Sequence, residues 1–170
     1  VADLLDLSRI ESGQTHLEVD EVSPLEVAGQ VVGALAAIAA DRVDVDIALG
    51  LRVRADPNAL GQILTNLIDN ALKYTPEATP IRITADAVPG GRVRLSVRDE
   101  GPGIAPQHRP RLFERFYRVD AGRSRDVGGT GLGLAIVKHL VEAMGGEAGM
   151  APSEAGGSVF WIELRDVAAG

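Results

Sequence analysis

The sequence predicts an α+β domain folded as a two-layer sandwich, a mixed sheet of about five strands packed on about three helices. Two proline-marked helix starts, Ser23-Pro24 and Asp56-Pro57, each open a stretch with apolar residues at helical spacing. Runs of alternating apolar and polar residues read as strands, and two of them flank Pro89-Gly90-Gly91 as a hairpin. Helices and strands follow one another without the strict alternation that a doubly wound parallel sheet requires. With 170 residues, 45% of them hydrophobic and 24% charged, the chain has the size and composition of one globular domain.

Val1, Leu4, Leu5 and Ile10 fall at helical spacing, so residues 1–13 read as the last turns of an amphipathic helix that stops at Gly13. That helix has no cap at its start, and a chain opening on valine inside a periodic pattern reads as a piece of something longer. Residues 14–22 form a polar linker, and the folded domain is expected over 23–167. Ser23-Pro24-Leu25-Glu26 is a capping box that predicts a helix over 24–40, with Val27, Val31, Leu35 and Ile38 as its apolar face. Val43, Val45, Ile47 and Leu49 alternate as a half-buried strand, and Val53 with Ala55 forms a second short one. Asp56-Pro57 repeats the cap-plus-proline signal for a helix that runs to Tyr74. Ile81, Ile83 and Ala85, then Val93, Leu95 and Val97, are the arms of the hairpin, and Asp99 stands at the end of the second arm. A glycine-rich turn, a short helix over 107–113 and a long loop rich in Arg and Gly come next. A helix from Leu132 to Met144 is closed by Gly145-Gly146, and Val159 and Trp161 belong to a last strand.

Lys and Arg number 17 against 24 Asp and Glu, a net charge of −7, which leaves no basic surface for nucleic acid or an anionic membrane. The longest uncharged and mostly apolar run, Val31 to Ala40, has ten residues, half of the ~20 that a membrane-spanning helix needs, so the chain is expected to be soluble. Absence of cysteine excludes disulfides, thiolate metal sites and cysteine nucleophiles.

At about 100° per residue, Leu60, Ile63, Leu64, Leu67, Ile68 and Ala71 cover one arc of the helix over 58–73, and Asn66, Asn70 and Lys73 cluster on the other. Such a polar face is ordinarily just solvated. Its chemical use would be magnesium and phosphate, because amide oxygens are hard neutral ligands and an ammonium reaches a phosphate oxygen. Asp99-Glu100-Gly101-Pro102-Gly103-Ile104 follows a strand, and Gly128-Gly129-Thr130-Gly131-Leu132-Gly133 leads into a helix. Glycines in this pattern open backbone amides to an anion, and a helix start adds partial positive charge. This is not the Walker pattern, since no Gly-Lys-Ser/Thr ends it, and not the dinucleotide fingerprint, since the flanking order is wrong.

NLIDNALKYTP, DEGPGI, FERFYRVD and GGTGLGLAIV, in this order, resemble the asparagine box, first glycine box, phenylalanine box and second glycine box of the catalytic and ATP-binding domain of sensor histidine kinases. The wider superfamily includes gyrase, the ninety-kilodalton heat-shock chaperone and MutL, and shares the Bergerat ATP-binding fold. The resemblance extends over residues 23–165, and VADLLDLSRIESG resembles the end of the second dimerisation helix. It implies that Asp99 accepts the adenine amine, that Gly101 and Gly103, with Ile104 beside them, shape the adenine pocket, and that Asn66 and Asn70 are magnesium-site residues. Lys73 becomes a phosphate contact and Tyr74 a ring against the nucleotide. Arg118 and Arg123 match positions in a lid over about 118–130 that approaches the phosphates. Gly129, Thr130, Gly131, Leu132 and Gly133 form the phosphate cradle, and Phe113 with Phe116 anchors the lid.

Gyrase-type ATPases carry a water-activating glutamate one helical turn before the magnesium asparagine, where this chain has Asn66. An amide takes no proton from water, which favours phosphoryl transfer to a protein nucleophile over hydrolysis. The resemblance implies ATP and Mg2+ as cofactors, a dimerisation/phosphoacceptor domain and a response regulator as partners, and a cytoplasmic position within a membrane-anchored, homodimeric parent. The isolated piece is expected to be monomeric. His16, His108 and His139 lie outside any acceptor motif of the His-Glu-Leu-Arg-Thr-Pro kind. The alternatives are a regulatory nucleotide-binding module, or the serine-kinase or ATPase branch of the same superfamily.

Overall fold

The computed structural model describes residues 8, 16–39, 41–76, 79–115, 117, 132–154 and 156–167. In chain order these form β1 (Asp20–Val22), α1 (Pro24–Ala34), α2 (Ala36–Ala39), β2 (Val43–Asp46), β3 (Val53–Ala55), α3 (Pro57–Tyr74), β4 (Ile81–Val88), β5 (Arg92–Arg98), a 3-10 turn (Arg109–Arg111), α4 (Gly133–Ala143), β6 (Glu147–Pro152) and β7 (Ser158–Arg165). Five strands make one mixed sheet in the order β2-β4-β5-β7-β6, in which β2 runs parallel to β4 and every other neighbour is antiparallel. β1 and β3 form a separate antiparallel ribbon, tied to the end of β7 by a bridge between Val53 and Asp166.

Local chemistry starts α1 and α3 where the sequence predicts. The Ser23 hydroxyl accepts the Glu26 N–H at 3.3 Å, and the Asp56 carboxylate accepts the N–H groups of Asn58 and Ala59 at 2.9 and 3.0 Å. One face of α3 buries Leu60, Ile63, Leu64, Leu67 and Ile68 completely. Each such side chain contributes roughly 1.5–3 kcal/mol relative to exposure. α3 packs on α1, α4, β4 and β5, while α4 covers β6 and β7, so the helices form one layer and the sheet the other. The sheet contributes Ile81 and Ile83, then Val93, Leu95 and Val97, then Phe160, Ile162 and Leu164, to the shared core. On its other face Arg94 pairs with Glu163 and lies 4.2 Å over the Trp161 ring.

Tertiary contacts redraw several boundaries. The helix predicted over 24–40 breaks at Leu35 into α1 and the short α2; Gly33 weakens the last turn of α1, and Ala36 and Ala37 beyond the break are exposed. The strand expected over 43–49 ends at Asp46, where its pairing with β4 ends. β1 lies within the expected linker, and β6 lies outside the expected strands because Gly149 and Pro152 are poor strand formers. A Cβ on Gly149 would stand 2.3 Å from the Trp161 ring, so β6 pairs with β7 only because that residue has no side chain. The short helix near 107–113 is the 3-10 turn Arg109–Arg111, with Pro110 inside it. Of the helix expected over 1–13, only Ser8 is described.

Candidate functional site

Asp99 follows β5 at the seam with β7, and it is 6% exposed. Its N–H donates to the Ser158 carbonyl at 2.9 Å, while its Oδ1 accepts the N–H groups of Ser158 at 3.1 Å and Gly101 at 3.0 Å. One carboxylate oxygen is thereby fixed by backbone. Oδ2 has no partner among the described residues, where no fully buried side-chain oxygen or nitrogen lacks one, so Oδ2 is reachable from outside the core. Glycines make this seam possible: a Cβ on Gly157 would stand 2.0 Å from the Asp99 carbonyl oxygen, and Gly103 holds φ at +76°. Ile104 is partly buried against the core, and its carbonyl accepts the Arg109 Nε–H at 3.1 Å.

The C-terminal end of α3 and Pro102 of the first glycine box meet beside this seam. A cavity of about 430 Å³ is lined by Lys73, Tyr74, Thr75, Pro76 and Pro102, within the size range of small-ligand pockets. A Cβ on Gly101 would meet the Thr75 methyl at 2.8 Å, so the first glycine box packs directly on the residue after α3. Arg42, which precedes β2, clamps the loop between them: its Nη2 donates to Thr75 Oγ1 at 2.7 Å and the Pro76 carbonyl at 2.9 Å, and its Nε donates to the Thr79 carbonyl at 3.0 Å. Sequence reasoning missed Arg42, since nothing local marks an arginine whose acceptors lie more than thirty positions ahead.

Asn66, Asn70 and Lys73 share the half-buried face of α3. Asn66 Nδ2 donates to the Gly133 carbonyl at 3.3 Å, which brings the asparagine box against the start of α4 and leaves Oδ1 to accept or ligate. Asn70 makes no hydrogen bond to a described residue. The Lys73 ammonium pairs with Asp69 at 2.9 Å, a partner that sequence reasoning did not weigh although i,i+4 spacing on a helix is a readable signal. At the start of α4 the N-cap residue Leu132 offers no side-chain cap, whereas Asp56 caps the first turn of α3. The Leu132 side chain itself is core, 3% exposed.

Phe113 meets Phe160 edge-on at 6.4 Å, and the Tyr117 hydroxyl and His108 Nδ1 share a hydrogen bond while Arg111 lies 4.5 Å over the Tyr117 ring. Phe113 ties the phenylalanine-box segment to the sheet, and the Tyr117 contacts fold that segment back on residues 108–111. Phe116, Arg118, Arg123, Gly129, Thr130, Gly131 and the rest of the expected lid lie outside the described residues.

Residues 55–168 match the family model described as histidine kinase-, DNA gyrase B- and HSP90-like ATPase. The sensor-like histidine kinase SenX3 of Mycolicibacterium smegmatis is 35% identical over 98% of this chain, which spans 44% of that protein's length. Full-length ShkA, solved in complex with AMPPNP, superposes with a TM-score of 0.80 at 37% identity, covering 95% of this chain and 34% of that one. The mycobacterial sensor histidine kinase MprB superposes at 0.76 with 29% identity, over 88% of this chain and 98% of that one. A seam that fixes one oxygen of a buried aspartate, an asparagine-bearing helix clasped to the start of α4, and these likenesses agree: the chain belongs to the histidine kinase-, DNA gyrase B- and HSP90-like ATPase family, and is the ATP-binding catalytic domain of the sensor histidine kinase branch.

Proposed function

We propose that this domain holds magnesium ATP between Asp99 and α3 and presents its γ-phosphoryl group to a histidine of a dimerisation/phosphoacceptor domain, for relay to a response regulator. The observation that carries the reading is Asp99: a carboxylate pinned through Oδ1 by two backbone N–H groups has its second oxygen left as an acceptor suited to an exocyclic amine. Gly101, Gly103 and Ile104 shape the wall beside it, and Tyr74 supplies an aromatic ring at the cavity rim.

The donor set suits the cofactors. Magnesium keeps several waters and phosphate oxygens and takes few protein ligands, which two neutral amides on one helical face satisfy. When bound, it neutralises charge on the phosphate oxygens. Asn66 and Asn70 are the residues proposed to hold it, and Lys73, once released from Asp69, the one to contact phosphate. The first-turn amides of α4, with Gly129, Thr130, Gly131 and Gly133, are proposed to cradle the phosphates, and Arg118 and Arg123 to approach them from the lid.

Asn66 also bears on the choice between transfer and hydrolysis. Its amide donates to the Gly133 carbonyl, which an ionised carboxylate, an acceptor only, cannot do. A side chain committed to donating there is no base for water, and the chain's own part in the reaction is positioning and charge stabilisation.

None of the described helices is long and apolar enough to cross a membrane, and we propose a cytoplasmic domain of a membrane-anchored, homodimeric sensor. The experiment is incubation with γ-labelled ATP, alone and with the dimerisation domain of the same parent. Acid-labile label on the partner only is expected. Binding without any transfer would favour a regulatory module, and brisk phosphate release without a partner would favour the ATPase branch.

A further inference from the structure

Residues 16–22, expected to be only a linker, are bound to the helix that carries the asparagine face. β1 pairs with β3 in the register Asp20 to Ala55, Glu21 to Arg54 and Val22 to Val53. The Glu18 N–H donates to Asp56 Oδ2 at 2.8 Å, while Asp56 Oδ1 caps α3 through Asn58 and Ala59. Both oxygens of one buried carboxylate are thus divided between the segment ahead of the domain and the start of α3. The Asp56 N–H in turn points to Met144 Sδ at 3.3 Å, just past the end of α4.

α3 and α4 are therefore joined at two places. Asp56 meets the end of α4 at Met144, and Asn66, ten residues and about 15 Å further along α3, meets its start at Gly133. A helix with a close-packed face moves as a rigid rod, so a displacement at Asp56 reaches Asn66 and the α4 start together. We infer that Asp56 is a positioning residue that couples docking of residues 16–22 to occupancy of the nucleotide site, each favouring the other. The inference rests on the nucleotide reading of the cleft between α3, α4 and Asp99. Reciprocity follows from linkage: whatever the docked segment adds to nucleotide affinity, nucleotide adds to docking.

Two substitutions cut the same hydrogen bond from opposite sides. Asp56→Asn keeps a capping oxygen for α3 but places an NH2 where Glu18 needs an acceptor. Glu18→Pro removes the donor at an exposed position and leaves Asp56 intact. The measurements are the affinity for AMPPNP with magnesium by calorimetry, and amide exchange over residues 19–22 with and without it. In the unsubstituted chain the analogue is expected to slow that exchange about five-fold, and each variant to weaken binding about five-fold and lose the slowing. The double variant should be no worse than either single one, because both remove one interaction; a merely structural defect would add. Should Asp56→Asn fail to fold, Glu18→Pro alone carries the test. Unchanged affinity with preserved slowing in the variants, or effects that add, would overturn the coupling while leaving the nucleotide site standing. Failure of the unsubstituted chain to bind AMPPNP would overturn both.

Discussion

Asp56 and Asp99 are alike in chemistry and burial, 7% and 6% exposed, and each accepts two backbone N–H groups on Oδ1. They differ in the second oxygen. Oδ2 of Asp56 is taken by the Glu18 N–H, whereas Oδ2 of Asp99 has no partner among the described residues. The two helix starts differ as well: the N-cap residue of α3 is an aspartate that accepts two N–H groups, and that of α4 is a leucine with no side-chain acceptor. Hydrogen-bonding capacity that the fold satisfies stabilises the fold, and capacity left over at a reachable position is what a ligand can use.

The sharpest way to break this comparison is Asp99→Asn. The amide oxygen can still accept from Gly101 and Ser158, so unfolding in urea should change by only about 1 kcal/mol, whereas the NH2 confronts an adenine amine with a donor. Nucleotide affinity should fall by ~2–4 kcal/mol, roughly thirty- to a thousand-fold, in a calorimetric titration. A loss smaller than about three-fold would remove Asp99 from the site.

Asp56→Ala is expected to do the reverse, lowering unfolding free energy by about 2 kcal/mol through loss of the cap and of the Glu18 contact. Its effect on affinity should stay near the five-fold scale of the coupling, about 1 kcal/mol. Asn70→Ala comes next, with a loss of about tenfold, or 1.4 kcal/mol, confined to titrations that contain magnesium and absent in EDTA. Equal loss in both media would mean that Asn70 acts on the nucleotide directly. Smallest of all is Asp69→Ala: the pair with Lys73 is about a third exposed, so stability should move by less than ~0.5 kcal/mol, and phosphate-dependent affinity should hold or tighten as the ammonium is released.

Legibility followed the range of the interactions. α3 could be read nearly to its bounds because its cap, its proline and its apolar period all lie within the helix itself. The four boxes were readable as patterns for the same reason. What holds Asp99 was not, since Gly157 and Ser158 stand almost sixty positions away and touch it only once β5 and β7 pair. β6 was hidden because Gly149 and Pro152 carry no strand signal, and its pairing depends on Gly149 lying against the distant Trp161 ring.

The sequence by itself determined the helix starts, the hairpin, the layer architecture and the residue types at the site, because capping, turn chemistry and periodicity act over a few neighbouring residues. Tertiary structure alone decided that Arg42 clamps the loop after α3, that residues 16–22 dock on Asp56, and that Asn66 reaches Gly133. A hydrogen bond is settled by geometry within a few tenths of an ångström, and where a donor has several acceptors within chemical reason, only the packed core selects among them.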